Sequence, residues 1–158
     1  FFSLLISTFS FAQKKVTSPA ETVSGKINGA TITIKYGSPS VKGRAIWGAL
    51  VPYDKVWRAG ANDATTFETD KTITIEGKQL PAGKYSFFVI PNENESIIIF
   101  NKEAKQWGSY DYKASSDQLR VTVKNENGDA LVEKLEYKIM ETRIELLWEK
   151  LIIGFEVK

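Results

Sequence analysis

Short runs in which apolar and polar residues alternate dominate the chain from Gln13 onward. TITIKY (31–36) alternates strictly and follows Asn28-Gly29, a dipeptide that favours a tight hairpin turn because both positions readily take positive φ. Similar runs are TTFET (65–69), TITIE (72–76), KYSFFVI (84–90), SIIIF (96–100), LRVTV (119–123), EKLEYKI (133–139), RIELLW (143–148) and LIIGFEV (151–157). The pattern predicts about ten short strands.

Turn-forming residues separate these runs, and no segment shows a sustained helical period. The separators include Gly77, Pro81-Ala82-Gly83, Pro91-Asn92 and residues 125–128. Short strands separated by turn residues predict an all-β fold, namely a single antiparallel β-sandwich of jelly-roll-like form. SIIIF and KYSFFVI are apolar on both faces and are expected at the centre of the sheet, whereas LRVTV and EKLEYKI should have one solvent face. The predicted core comprises Ile73, Ile75, Tyr85, Phe87, Leu119, Val121, Ile144, Leu146 and Trp148.

Residues 37–66 form the long interruption of the strand pattern. This stretch is too rich in Gly and Pro for a helix, yet it holds two arginines, two tryptophans and a tyrosine. Binding residues concentrate in irregular segments that a rigid scaffold supports. We therefore expect one long structured loop that carries the functional site.

The first twelve residues, FFSLLISTFSFA, carry no charge and end in small residues that suit a signal peptidase. We interpret residues 1–12 as a truncated signal peptide and residues 13–158 as one β-sandwich domain, exported to the periplasm or secreted. The apolar run is shorter than the about 20 residues of a membrane-spanning helix. Because the chain has no cysteine to carry an acyl anchor, a soluble exported protein is expected.

Composition narrows the chemistry that the chain can perform. The 158 residues carry a net charge of +2 and include neither cysteine nor histidine. Their absence excludes Ser-His-Asp and Cys-His catalysis and every imidazole metal site. The Lys and Arg residues are spread along the chain and do not gather in the basic patch that a nucleic-acid partner requires. We expect no nucleic-acid partner, no stable membrane anchor, no resident metal and no cofactor.

Four segments in combination carry a family resemblance. They are SPSVKGRAIWG (38–48), LVPYDKVWRAGANDAT (50–65), LPAGKYSFFVIP (80–91) and QWG (106–108). Together they resemble the DUF2911 family of exported bacterial proteins, from about residue 16 to the C-terminus. The function of that family is unknown, so the resemblance implies a single exported β-rich domain and supplies no reaction, cofactor or catalytic residue.

Arg44 and Arg58 permit two interpretations. A guanidinium on a glycine-flanked loop can hold a carboxylate, phosphate or sulfate through two parallel hydrogen bonds. Alternatively, each arginine bonds internal carboxylates or loop carbonyls and orders the long loop. We predict that Arg58, beside Trp57, contacts the ligand and that Arg44 organises the loop.

Four aromatic residues, Trp47, Tyr53, Trp57 and Trp107, form a second candidate group. Aromatic faces beside planar polar side chains such as Asn62 are typical of sugar-binding surfaces. Trp47 and Trp57 could equally close the open end of the sandwich, because buried aromatics contribute large packing areas. Trp148 lies at an inward position and is predicted to belong to the core.

Carboxylates are the remaining candidates for catalysis. A glycosidase would need a pair of them about 5 to 10 Å apart. Asp63 could form such a pair with Asp111 or Asp117, and the latter two could also supply oxygens to a calcium ion. Asp54 and Glu68 are further candidates, although acidic loop residues are usually solvated.

Three function classes remain. The leading prediction is a non-enzymatic binding domain for a glycan or small anionic ligand, and the alternatives are a structural or protein-interaction module and a carboxylate-dependent, glycosidase-like enzyme. The candidate ligand-binding residues are Arg44, Trp47, Tyr53, Trp57, Arg58, Asn62, Asp63 and Trp107. No catalytic residue is assigned.

Overall fold

The computed structural model describes residues 18–158 and contains nine strands. They are β1 (Ala20–Ile27), β2 (Ala30–Gly37), β3 (Thr66–Thr69), β4 (Ile73–Ile75), β5 (Lys78–Leu80), β6 (Gly83–Pro91), β7 (Glu95–Asn101), β8 (Asp117–Ile139) and β9 (Arg143–Glu156). A 3₁₀ turn, Ala114–Ser116, is the one helical element in this part of the chain. The predicted signal peptide, residues 1–12, lies outside the described residues. Residues 18–158 include no helix with the length and apolarity that crossing a membrane requires.

Seven strands form one curled antiparallel sheet in the order β1-β2-β3-β6-β7-β8-β9, and β4 and β5 pair separately. The all-β, antiparallel class is therefore confirmed. The turn between β1 and β2 is the predicted one, with φ of 48° at Asn28 and 78° at Gly29. Glu76 and Gly77, with φ of 48° and 79°, join β4 to β5 in the same way. In both turns the second position is glycine, which takes positive φ without steric conflict.

The central strands β6 and β7 are covered on both faces, as their apolar pattern predicts. Phe87 and Phe100 lie in the main core, whereas Phe88 and Ile99 pack into a smaller cluster on the other face. Strand β8 alternates instead, with Val121 buried between exposed neighbours. Eight of the nine predicted core residues are buried, and the ninth, Leu119, is half-buried against the core.

Two predicted strand breaks are wrong. Residues 125–128 do not end a strand, because β8 continues through them as a bulged strand of 23 residues. The Asn125 side chain accepts a hydrogen bond from Ser96 Oγ (2.7 Å) and donates one to Asn92 O (2.7 Å), so it connects β8 to the neighbouring turn. Likewise, β9 runs through Glu149, whose φ of 57° marks a bulge.

The second half of β8 returns to the segment that follows β2. Val41 N donates to Glu133 O (2.8 Å), Leu135 N donates to Pro39 O (2.9 Å), and Ser38 Oγ donates to Leu135 O (2.7 Å). These bonds join β8 to the segment after β2, although the two strands lie near opposite ends of the sheet order. The long loop between β2 and β3 begins at this junction.

Candidate functional site

The structured loop predicted over residues 37–66 is present as residues 38–65, between β2 and β3, and contacts with two other strands hold it in place. Ser40 forms a bridge with Lys134 of β8. Trp57 pairs with Val89 of β6 through two backbone hydrogen bonds of 2.8 and 3.0 Å. Because these contacts join the loop to a central strand, the residues beside Trp57 rest on the most buried part of the sheet.

The backbone after Arg58 is held in an uncommon conformation. Ala59 is fully buried and has a φ of 54°, in the left-handed region that residues with a Cβ seldom adopt. Its carbonyl accepts hydrogen bonds from Thr65 Oγ1 (2.9 Å) and Tyr137 Oη (2.7 Å). Burial raises the pKa of Tyr137 well above its ordinary value, so its hydroxyl remains a donor. Local strain of this kind persists only where surrounding contacts enforce it.

Two glycines allow this segment to lie against the end of β2. A Cβ on Gly60 would lie 2.9 Å from Gly37 O, and a Cβ on Gly37 would overlap Ala61 O. The close approach also aligns Ala61 N with Gly37 O, at 3.2 Å. The backbone on the C-terminal side of Arg58 is therefore fixed by packing as well as by hydrogen bonds.

The two arginines of the loop have different surroundings. Arg44 is exposed, and its Nε and Nη2 donate to Val41 O (3.0 Å) and Ser40 O (2.6 Å). Arg58 is half-buried, and its Nε is inaccessible to solvent yet has no hydrogen-bond partner among the described residues. Within residues 18–158 no carboxylate forms an ion pair with Arg58 either.

Arg58 lines a pocket of about 230 Å³ on this side of the loop. Its charged lining residues are Lys42, Arg44 and Arg58, and no acidic side chain of the described residues contributes to the wall. Trp57 supplies an apolar surface, with the buried Trp148 behind it. Three cations around one small cavity produce a positive potential that favours an anion.

Trp47 and Trp57 pack with Trp148 at the end of the core. The rings of Trp57 and Trp148 are stacked with centroids 6.1 Å apart, and Trp47 meets both rings edge-on at 5.5 and 6.0 Å. Trp47 Nε1 also donates to Trp148 O, at 3.3 Å. Both loop tryptophans therefore pack against the core, and Trp57 additionally borders the pocket.

The remaining predicted residues lie around this pocket and do not line it. Tyr53 packs over Gly48, in a separate groove that Arg44 and Trp47 also border. Asn62 and Asp63 lie beside another depression, near the C-terminal end of β2. Asp63 forms a backbone bridge with Trp107, whose side chain is 60% exposed. The structure thus brings Arg44, Trp57 and Arg58 together and distributes the other five candidates over adjoining surfaces.

Two of the candidate carboxylates have internal partners. Asp117 accepts hydrogen bonds from Tyr112 Oη (2.6 Å), Arg120 Nε (2.6 Å) and Asn101 Nδ2 (2.9 Å). Asp54 accepts one from Asn92 Nδ2, at 2.8 Å. No group of three or more acidic residues in the described part of the chain is arranged to hold a metal ion.

Sequence reasoning missed three residues that shape the pocket. Lys42 supplies a third cation, Tyr137 fixes the Ala59 carbonyl, and Gly37 permits the close approach of the loop. The Lys42-Gly43-Arg44 triplet offered a signal for Lys42. Tyr137 and Gly37 carried none, because their contacts are made with residues that are distant in the chain.

An antiparallel all-β domain with a structured Arg/Trp loop is the class of protein that this geometry defines. A family model described as a protein of unknown function, DUF2911, matches residues 18–157, so the chain belongs to the DUF2911 family. No curated protein and no solved structure matches the chain.

Proposed function

We propose that this protein is an exported, non-enzymatic binding domain whose pocket around Arg58 holds a small anionic ligand. The observation that carries the proposal is the half-buried guanidinium of Arg58, whose Nε lacks a partner among residues 18–158. A buried donor without an acceptor is unfavourable by about 1 to 3 kcal/mol, and more for a charged group. Because solvent does not reach this Nε in the structure, an anionic oxygen atom in the pocket would remove the penalty once the guanidinium turns toward it.

The charges around the pocket support an anion rather than a neutral ligand. Lys42 and Arg44 border the same cavity as Arg58, and the described wall contains no acidic residue. A guanidinium binds carboxylate, phosphate or sulfate through two parallel hydrogen bonds, and the additional cations strengthen the local potential.

The rigid backbone supports a binding role as well. Tyr137 and Thr65 hold the Ala59 carbonyl, and Gly37 and Gly60 fix the adjacent turn. An arginine on a fixed backbone loses less conformational entropy when it binds, which favours affinity.

The packing of the loop tryptophans supports the alternative, a structural or protein-interaction module. Trp47 and Trp57 pack against Trp148, as residues that close one end of a core would. A carboxylate-dependent enzyme has less support, because the Asp117 and Asp54 carboxylates already accept internal hydrogen bonds.

Anion titration by NMR tests the proposal directly. We expect acetate, phosphate or sulfate to shift the ¹⁵N signal of Arg58 Nε and the backbone amide signal of Ala59 in a saturable manner, and Arg58→Gln to abolish the shift at Ala59. Lys55→Gln is the matched control, because Lys55 is exposed in the same loop and does not line the pocket. The proposal fails if none of the three anions moves the Arg58 signal, or if Arg58→Gln binds them as the parent does.

Export depends on the apolar residues 1–12. We expect cleavage after Ala12, so that Gln13 becomes the N-terminus of the exported protein. Mass spectrometry of the exported protein measures this, and retention of residues 1–12 would contradict it.

The scaffold, we infer, is a sandwich in which the curled sheet folds over itself. In support, Ile34 of β2 and Phe155 of β9 belong to one core cluster, although these strands lie near opposite ends of the sheet order. The jelly-roll-like form remains a prediction.

A further inference from the structure

Trp107 and Tyr110 present large aromatic surfaces to solvent. Their side chains are 60% and 82% exposed. The other exposed large hydrophobic residues of the described chain are Leu50, Leu131 and Met140. Two aromatic rings fall well short of the roughly 800 Å² per partner that a stable protein interface covers, so a small ligand suits this surface better than a protein.

The segment that carries the two aromatics is firmly held. Ala64 N donates to Gln106 O (2.8 Å), and Gly108 N donates to Asn62 O (3.1 Å). The buried Gln106 side chain donates from Nε2 to Glu103 O, at 2.8 Å. Trp107 is therefore exposed on an ordered backbone, as a preformed binding surface requires.

Gly108 connects this surface to Arg58. Its φ is 60°, and a Cβ placed there would lie 3.0 Å from the Tyr110 ring and 3.8 Å from Arg58 Nη1. The guanidinium and the Tyr110 ring consequently border the same glycine. A ligand whose anionic group reaches Arg58 could extend from there over Tyr110 toward Trp107.

Polar groups beside Trp107 match the hydroxyl groups of a sugar. A cavity of about 430 Å³ is lined by Trp107 together with Glu103, Asp111, Lys105 and Lys113. Carboxylates accept hydrogen bonds from hydroxyl groups and ammonium groups donate to them. The apolar C–H face of a pyranose ring packs on an indole or phenol ring. The two acidic and two basic side chains on this wall balance in net charge, whereas the charged residues that line the Arg58 pocket are all cationic.

We propose that the ligand is an acidic carbohydrate, whose carboxylate binds Arg58 and whose pyranose rings stack on Tyr110 and Trp107. This inference rests on the proposed anion-binding function and names the class of its ligand. It predicts that aromatic contacts contribute to binding of uronic-acid oligomers and leave binding of simple anions unchanged.

The test titrates the full chain with uronic-acid tetrasaccharides of three kinds, namely oligogalacturonate, oligomannuronate and hyaluronan. The readouts are the ¹⁵N signals of Arg58 Nε and of the Trp107 indole. Acetate is the simple anion, and Trp107→Ala and Tyr110→Ala are the variants. Met140→Ala is the matched control, because it also truncates an exposed apolar side chain.

We expect at least one tetrasaccharide to shift both signals, and each aromatic variant to weaken its binding by about tenfold, which corresponds to the loss of one stacking contact. Acetate binding to both aromatic variants and tetrasaccharide binding to Met140→Ala should equal those of the parent.

The inference is overturned if no tetrasaccharide binds, or if Trp107→Ala and Tyr110→Ala bind as tightly as the parent, while acetate still shifts Arg58 Nε. In that case the anion-binding function stands and only the carbohydrate is wrong. If none of acetate, phosphate and sulfate shifts Arg58 Nε, the proposed function itself fails, and the carbohydrate inference fails with it.

Discussion

Arg44 and Arg58 lie in one loop and line the same pocket, yet the environments of their side chains are opposite. Arg44 is exposed and directs two nitrogens at backbone carbonyls within its own turn. Arg58 is half-buried, and the described residues provide no acceptor for its Nε. Under the proposed function, exposure alone does not mark a binding arginine. The informative property is whether the protein already satisfies its donors.

The backbone beside Arg44 is loosely packed, whereas the backbone beside Arg58 is tightly packed. Lys42 and Gly43 form an open turn, in which a Cβ on Gly43 would meet no atom within 4 Å. Gly37 and Gly60, beside the Arg58 segment, have no room for a Cβ. One arginine therefore stabilises a loose turn, and the other is presented by a tightly packed one.

Substitution of Gly37 should give the largest effect, and Gly43 is its matched control. We expect Gly37→Ala to destabilise the protein by about 3 kcal/mol, because the new Cβ overlaps the Ala61 carbonyl in a packed interior. Gly43→Ala should destabilise by about 1 kcal/mol through its φ of 67° alone. Urea titration measures the free energy of unfolding of both variants. Equal losses for Gly37→Ala and Gly43→Ala would contradict the difference in packing.

Removal of the Tyr137 hydroxyl should have a smaller effect. Tyr137→Phe leaves Ala59 O with one donor fewer, so we expect a loss of about 1.5 kcal/mol in the free energy of unfolding. Tyr85→Phe is the control, because Tyr85 Oη also donates to a carbonyl, that of Pro81, outside the loop. Only Tyr137→Phe should move the Arg58 Nε signal. The role of Tyr137 in positioning is excluded if both variants, or neither, move it.

Alkaline pH should weaken the hydrogen bond from Tyr137 to the Ala59 carbonyl. Burial raises the pKa of Tyr137 in the folded state above that of the unfolded chain, near 10, so folding favours the protonated form. The contribution of the protonated Tyr137 hydroxyl to the free energy of unfolding is complete below pH 10. It falls as the pH rises above 10, by about 1 kcal/mol between pH 10 and 11. Denaturant titrations across this range should show a steeper decline for the parent than for Tyr137→Phe. Parallel declines would contradict the assignment.

The arginine substitutions should have the smallest effects on stability. Arg44→Ala removes two hydrogen bonds to loop carbonyls at an exposed site, so we expect a loss of about 1 kcal/mol. Arg58→Ala should destabilise the protein by no more than about 0.5 kcal/mol, because no described residue accepts from its Nε and the unpartnered donor is removed with the side chain. Anion binding should respond most strongly to Arg58→Ala. A large loss of stability for Arg58→Ala alone would reverse the two roles.

The strand pattern could be predicted well wherever local residues decide it. Asn28-Gly29 produced the expected turn, and the apolar stretches of β6 and β7 proved to be central. Residues 125–128 look equally like a turn, yet Ser96 and Asn92 bond Asn125 and the strand continues. A turn signal can therefore be overridden when distant residues satisfy its polar groups.

The candidate site was predicted less completely. Residue type and neighbouring glycines identified the loop, and Arg58, Arg44 and Trp57 do border one pocket. Trp107 and Asp63 meet each other, but on an adjoining surface. Which side chains share a cavity depends on how the loop crosses the sheet, and that crossing is set by contacts such as Tyr137 to Ala59.

The sequence by itself determined the antiparallel all-β class, the buried central strands and the loop that carries the arginines, because alternation and turn residues act between near neighbours. Only the tertiary structure decided that Arg44 bonds its own turn while the Arg58 Nε lacks an acceptor among the described residues. The physical reason is that a guanidinium bonds whichever acceptor the fold brings within about 3 Å. Distances between residues that are far apart in the chain cannot be read from the local sequence pattern.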